Sequence, residues 1–348
     1  MSSTSLFLPW HLAVARPWLS DRERFAHAWL IHGVAGIGKE TFARAAAAAL
    51  LCESPVQGLA CGQCPACQWV NAGNHPDLRM LRPEAIALAE GEAAAPDEAA
   101  ESGAAKRAPS KEIRIDQIRS LNGWFNTATH RGGWRVAVVY PAQTLNVMAA
   151  NALLKVLEEP PPSTVFLLVA DAPDRLLPTL VSRCRRLPLA APGAEQSLQW
   201  LQEQGVSAPE QWLAAAGGAP LAAQRLAAQR DTPCPPWLAQ LIEPLAKGES
   251  PDIGALADLL DKTPPAQWID TLQRACVDIT FSAAGQAVRY YPALAKASGA
   301  IAARADAARL AEVSRWLTQQ RALASHPLNA KLFAHASLLR TVAACRAT

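Results

Sequence analysis

Apolar positions in the N-terminal part of the chain fall into two patterns. Short apolar runs occur at Ala28 to Ile31, Leu78 to Leu81, Trp134 to Tyr140 and Thr164 to Ala170. The last two have the character of strands buried on both faces, as in a parallel sheet. Between these runs the spacing is helical. Phe42 to Leu51 is an alanine-rich helix, and Ile115, Ile118, Leu121 and Phe125 mark one apolar stripe across Ile113 to Phe125. Leu145 to Glu158 predicts a helix stopped by Pro160, Pro161 and Pro162, and Asp174 to Val181 predicts another. A helical run, Trp18 to Phe25, leads into the first strand. Strand and helix in alternation predict a doubly wound α/β domain.

The pattern changes after Ala191-Pro192-Gly193. Glu195 to Gln229 has only helical periodicity, with Leu198, Leu201, Trp212 and Leu213 on the apolar side. A proline-rich hinge follows, Asp231 to Pro236. From Trp237 onward the chain is helical, with breaks at Gly248, Pro251, Pro264-Pro265 and Pro327. Trp237, Trp268 and Trp316 are expected in the core of this bundle.

Composition narrows the class. The chain has 348 residues, 50% hydrophobic and 18% charged, enough for a substantial core and too apolar for global disorder. A net charge of +3 is too mild to argue for nucleic acid by itself. No apolar run has the length of a membrane span. The N-terminal residues lack the basic flank and long apolar stretch of a signal peptide, so a cytoplasmic location is expected. Thiols there stay reduced, and the eight cysteines read as ligands, nucleophiles or core residues rather than as disulfides.

Gly33-Val-Ala-Gly36-Ile-Gly38-Lys39-Glu40-Thr41 lies between the first strand and the alanine-rich helix. That context is what a phosphate-binding loop requires. Gly33, Gly36 and Gly38 let backbone N–H groups turn inward, and the helix N-terminus adds its positive dipole end. Lys39 stands where a cation would reach the terminal phosphates. The next position should carry a hydroxyl for magnesium, but it is Glu40, whose carboxylate would compete with phosphate for the same N–H groups. Thr41 comes one residue late and points ~100° further round the helix. The loop has the form of a nucleotide site with altered chemistry.

Cys52, Cys61, Cys64 and Cys67 form a C-x8-C-x2-C-x2-C pattern. Two-residue gaps let successive thiolates turn back onto one tetrahedral ion, and the longer gap brings in a fourth ligand from a helix end. Four sulfurs with no open position describe structural rather than catalytic zinc, with Gly58, Gly62 and Pro65 supplying the turns. The alternatives are four unrelated thiols or a redox-active C-x-x-C pair. His75, alone after this segment, is expected to be structural. Residues 84–110, rich in Ala and Glu without an apolar stripe, predict a mobile surface insertion.

In an ATPase of this architecture, the strand Trp134 to Tyr140 should end in acidic residues that hold magnesium and activate water. It ends Tyr140-Pro141-Ala142-Gln143. With Glu40 in the loop, both protein groups that would position the metal are missing.

The stretch Ala149-Ala-Asn-Ala-Leu-Leu-Lys-Val-Leu-Glu-Glu-Pro-Pro161, the triplet Ser182-Arg183-Cys184, the four cysteines and the glycine loop together resemble bacterial clamp-loader subunits of the AAA+ class. The resemblance is dense from Trp29 to Leu189. The missing acidic pair and altered loop point, within that family, to the delta-prime type of DNA polymerase III rather than the tau/gamma motor type. An active motor ATPase or a zinc-ribbon DNA-binding module are the competing classes.

The resemblance implies an AAA+ (RecA-like) α/β parallel-sheet domain over residues 1–191, with a zinc knuckle at 52–67. A small helical lid over 192–232 and an all-α collar over 233–348 follow. It implies no independent activity, and no hydrolysis at Gly33, Gly36, Gly38 and Lys39, whose nucleotide occupancy is left open. Arg183 matches the arginine finger that reaches across a subunit boundary toward ATP held by a motor subunit. Leu221 matches the place of a second phosphate-sensing arginine in the lid, with Arg225 a turn away. The implied partners are tau/gamma and delta subunits in a hetero-pentameric ring, and through that ring the sliding clamp and primed DNA; no membrane is involved.

Overall fold

The computed structural model describes residues 7–22, 25–91, 108–130, 133–324 and 329–346. The chain divides into two compact units, 1–192 and 193–348.

The first unit is built on a five-stranded parallel sheet: β1 Ala28–His32, β2 Leu78–Leu81, β3 Arg135–Val139, β4 Thr164–Ala170 and β5 Arg185–Pro188, in the order β2-β3-β4-β1-β5. Every residue of β3 and β4 is buried, as their apolar runs demand. β1 pairs with β4 on one side and β5 on the other. Because β1 and β4 run parallel with His32 opposite Ala170, the loops that leave their C-terminal ends begin side by side. The expected parallel-sheet α/β architecture is present, and this adjacency is what builds its crevice.

Helices cover the sheet: α1 Leu12–Ser20, α2 Lys39–Leu51, α3 Pro65–Asn71, α4 Glu84–Ala89, α5 Ile115–Arg119, α6 Leu121–Phe125, α7 Val147–Glu158 and α8 Pro178–Ser182. The small side chains of Ala45 to Ala49 let α2 sink almost completely, and Phe42 is fully buried beside them. Burying one such phenylalanine contributes about 1.5–3 kcal/mol.

Several boundaries differ from the sequence pattern. The helix expected over Trp18 to Phe25 ends at Ser20, and its beginning lies at Leu12. Trp18, Phe25 and Trp29 instead form an aromatic cluster, with ring centroids 5.1–5.4 Å apart, which requires the chain to turn back between them. The single helix expected over Ile113 to Phe125 is split at Ser120 into α5 and α6. The helix expected over Asp174 to Val181 is a 3-10 turn, Pro173–Arg175, followed by the short α8. β5 has largely solvent-facing residues and no apolar run to announce it. Within the expected insertion, Glu84–Ala89 is helical; residues 92–107 lie outside the described residues.

The second unit is helical: α9 Ala194–Glu203, α10 Pro209–Ala215, α11 Pro220–Gln229, α12 Pro236–Lys247, α13 Ile253–Leu260, α14 Pro265–Ala283, α15 Ala295–Ala302, α16 Ala307–Leu323 and α17 Ala330–Cys345. Its core gathers Trp237, Leu241, Trp268, Leu272, Leu317 and Leu338. Trp316 is only half-buried, and the Arg340 guanidinium lies over its ring at 4.8 Å. Asp278, buried on α14, accepts backbone N–H bonds from Arg289, Tyr290 and Tyr291 and so fixes the turn before α15. Among the described residues no helix is long and apolar enough to cross a membrane.

Candidate functional site

The loop after β1 has the backbone of a phosphate cradle. Gly36 and Gly38 hold left-handed conformations, φ 82° and 88°, and Gly38 is the N-cap of α2. A Cβ at Gly33 would lie 2.3 Å from the Leu189 carbonyl oxygen, so only glycine fits where the loop passes β5. The Trp10 indole donates to the Ile37 carbonyl at 2.9 Å and ties the loop to the N-terminal segment.

Lys39 begins α2 and is 4% exposed. Its ammonium donates to the Val34 carbonyl at 2.6 Å and pairs with Asp171 Oδ1 at 2.5 Å. Asp171 follows β4, so the strand pairing described above carries this carboxylate to the mouth of the loop. The cation expected to meet phosphate already has an anion from its own chain.

Glu40, expected to compete with phosphate for the loop N–H groups, has a partner on its own helix. Its carboxylate is engaged along the helix by Arg44 Nε at 2.8 Å. Arg44 also reaches Glu90 Oε2 at 2.6 Å and the Tyr140 hydroxyl at 3.2 Å, and Arg82 meets the same Glu90 oxygen at 3.1 Å. Tyr140, just past β3, donates its hydroxyl to Glu90. The tip of β3 thus presents a phenol held by an arginine and a glutamate, with no carboxylate of its own.

Two histidines border the loop. His11, 1% exposed under Phe42, is pushed down to about 4, mainly by burial and partly offset by the Ile37 backbone. His32 at the end of β1 is lowered by burial and by the positive charges of Arg186 and Lys39. Both favour neutral rings beside a cationic loop.

The four cysteines converge. Their sulfurs all lie within 4.8 Å of one another, with Cys52–Cys64 at 3.9 Å and Cys61–Cys67 at 4.0 Å. A tetrahedral ion with sulfur at about 2.3 Å requires sulfur–sulfur distances of about 3.8 Å, so the set fits zinc. Backbone N–H groups of Cys61, Cys64 and Cys67 point at the sulfurs of Cys52, Cys61 and Cys64. Those of Gln63 and Cys64 pull the Cys61 thiol down to about 6, whereas burial raises Cys52 and Cys67. Cys64 caps α3, and left-handed Gly58 and Gly62 shape the connecting turns. His75 is buried against the Trp69 ring of α3, and its Nδ1 accepts the Asp77 N–H. That is a structural role.

Arg183 is the C-cap of α8. Its Nη1 donates to the Thr179 carbonyl at 3.0 Å, and its Nη2 pairs with Glu158 at the end of α7. The side chain remains 35% exposed. Cys184 beside it is buried, and burial raises its thiol to about 12, as suits a packing residue. In the second unit Arg225 Nε donates to the Leu221 carbonyl at 3.3 Å, both on α11.

Sequence reasoning passed over Asp171, Glu158 and the Arg44–Glu90–Tyr140 network. Asp171 carried one usable signal: it is the first polar residue after a wholly apolar strand. In a parallel sheet that marks the crevice end. The network had none, because its members are far apart in sequence and none belongs to a recognised motif.

A family model described as DNA polymerase III, delta subunit, matches residues 19–192. A Pseudomonas aeruginosa protein named DNA polymerase III subunit delta' is 43% identical over 225 residues, covering 64% of this chain and 61% of that protein. The Escherichia coli protein of the same name is 36% identical over 203 residues, 58% of this chain and 54% of the relative. An E. coli protein named DNA polymerase III subunit tau is 32% identical over 173 residues, 50% of this chain and 23% of the relative. The matches therefore span little more than half the length of the delta' relatives.

Proposed function

The chain belongs to the DNA polymerase III delta-subunit family, and from that premise we propose that it is a non-hydrolysing, delta-prime-type clamp-loader subunit. It supplies Arg183 in trans to ATP held by a neighbouring motor subunit. The observation that carries this reading is the contrast between two cations. Lys39 is buried and neutralised by Asp171, while Arg183 stands at the surface.

The chemistry follows from charge. Hydrolysis of ATP needs a cation on the terminal phosphates, a magnesium ligand and a carboxylate that positions water. Here Lys39 is paired within the chain, Glu40 is paired to Arg44, and Tyr140 stands where the water-positioning carboxylate would be. Arg183 offers a planar fork of donors that never loses its charge, suited to a phosphate arriving on another subunit. Delivered in trans, it makes turnover conditional on assembly.

Cys52, Cys61, Cys64 and Cys67 would hold a structural zinc ion, which gives folding energy to a segment with few apolar residues. The reading further assigns the helices of 192–232 to a lid and those of 233–348 to a collar that joins partner subunits in a hetero-pentameric ring acting on the sliding clamp and primed DNA.

The test is reconstitution with motor and delta subunits, clamp and primed DNA. Arg183→Ala should leave the chain folded and incorporated but lower DNA-stimulated ATP turnover roughly 10^3-fold or more at the site it serves. Unchanged turnover in a fully assembled complex would remove the finger assignment.

A further inference from the structure

Glu158 and Arg183 come from two separate motif stretches, 25 positions apart, and the fold joins them. Leu157, next to Glu158, and Leu180 and Cys184, flanking Arg183, are all buried in one core cluster. The backbones that carry the two charged side chains are therefore anchored from below. The Arg183 N–H is itself bonded to the Leu180 carbonyl at 3.2 Å.

The guanidinium is held at two points. Nη1 is fixed by the Thr179 carbonyl on its own helix and Nη2 by the Glu158 carboxylate on α7. An arginine has five N–H donors, so these two contacts leave others to meet an incoming anion. An exposed ion pair of this kind contributes little to stability. What it does supply is orientation, since an unrestrained arginine must lose rotamer freedom each time it engages a ligand.

We propose that Glu158 is a positioning residue for Arg183: it holds the guanidinium in a fixed orientation at the surface of α7 and α8, ready for a phosphate presented by a neighbouring subunit. This deepens the reading above and rests on it, because it presumes that Arg183 acts in trans. Glu158 touches no nucleotide; it acts through the arginine. Its loss lowers the turnover number and leaves the motor subunit's affinity for ATP nearly unchanged.

The experiment is steady-state ATPase of the reconstituted complex with clamp and primed DNA, using Glu158→Ala, Glu158→Gln, Arg183→Ala and the double variant Glu158→Ala/Arg183→Ala. Glu158→Ala should lower kcat about two- to fivefold, the factor that an exposed pair can supply, with KM for ATP unchanged. Glu158→Gln keeps an acceptor oxygen for Nη2 and should recover most of the loss. The double variant should be no slower than Arg183→Ala alone. A Glu158→Ala defect that persists in the Arg183→Ala background, or the absence of any defect while Arg183→Ala is impaired, overturns the inference and spares the finger. Full turnover with Arg183→Ala overturns the finger itself. Thermal midpoints of the isolated variants, expected to match the native chain, separate orientation from folding.

Discussion

The ammonium of Lys39 lies 2.5 Å from the carboxylate of Asp171, so the lysine of the glycine loop is neutralised by the neighbouring strand's exit. The parallel pairing of β1 with β4 brings the two within reach, because Asp171 leaves the sheet one position beyond the Ala170–His32 pair. A phosphate entering the loop has to displace a tethered anion.

Removing that anion should reopen the loop. In Asp171→Asn the cradle of Gly36 and Gly38 persists while Lys39 regains an uncompensated charge. Binding of pyrophosphate or ATP by the isolated chain should strengthen about tenfold, the effect of roughly 1.4 kcal/mol of restored charge attraction. Calorimetric titration of both proteins checks this; equal affinities would mean that Asp171 does not guard the loop. The same change leaves a buried ammonium with only neutral acceptors, the Val34 carbonyl and the new amide oxygen, and should cost about 1–3 kcal/mol of stability.

His11 gives the fold an acid-sensitive point. Its folded pKa, about 4, lies below the ordinary value of 6.5. Above 6.5 the ring is neutral in both states and the full stability is present. As the pH falls from 6.5 to about 4, the unfolded chain takes up a proton that the folded chain refuses, and stability is lost by up to about 3 kcal/mol. Unfolding midpoints measured across this window should fall, and His11→Phe should flatten the part of the slope due to this residue. An identical slope in the variant would assign the acid sensitivity elsewhere.

The cysteine cluster predicts bound zinc. Elemental analysis of the native protein should find one zinc ion per chain, and replacement of Cys64 and Cys67 by Ser should abolish it and lower the unfolding midpoint. A strong chelator should reproduce the loss in the native protein. A natively folded, metal-free protein would contradict the tetrathiolate site.

How far the sequence led depended on the range of the physics involved. The buried strands β3 and β4 were legible because a strand covered on both faces is apolar throughout. β5 was not, since its Arg185 and Arg186 face solvent at a sheet edge. The ends of α1 were misjudged because the aromatic spacing of Trp18 and Phe25 serves a cluster rather than a helix face. The glycine loop and the cysteine spacing are local patterns and could be read directly. The ion pairs of Asp171 with Lys39 and of Glu158 with Arg183 are long-range pairings that exist only once the fold is known. Glu40 is a different case: its partner Arg44 lies one turn along the same helix, a local i,i+4 pairing that spacing alone could have offered.

The central claim is that this chain has given up hydrolysis and kept the cation that serves a neighbour. The most direct measurement is magnesium-dependent ATP turnover by the pure, isolated chain, alongside its Lys39→Ala variant. Turnover at background level in both proteins is the predicted result. Measurable hydrolysis that Lys39→Ala abolishes would contradict the account and identify a working motor.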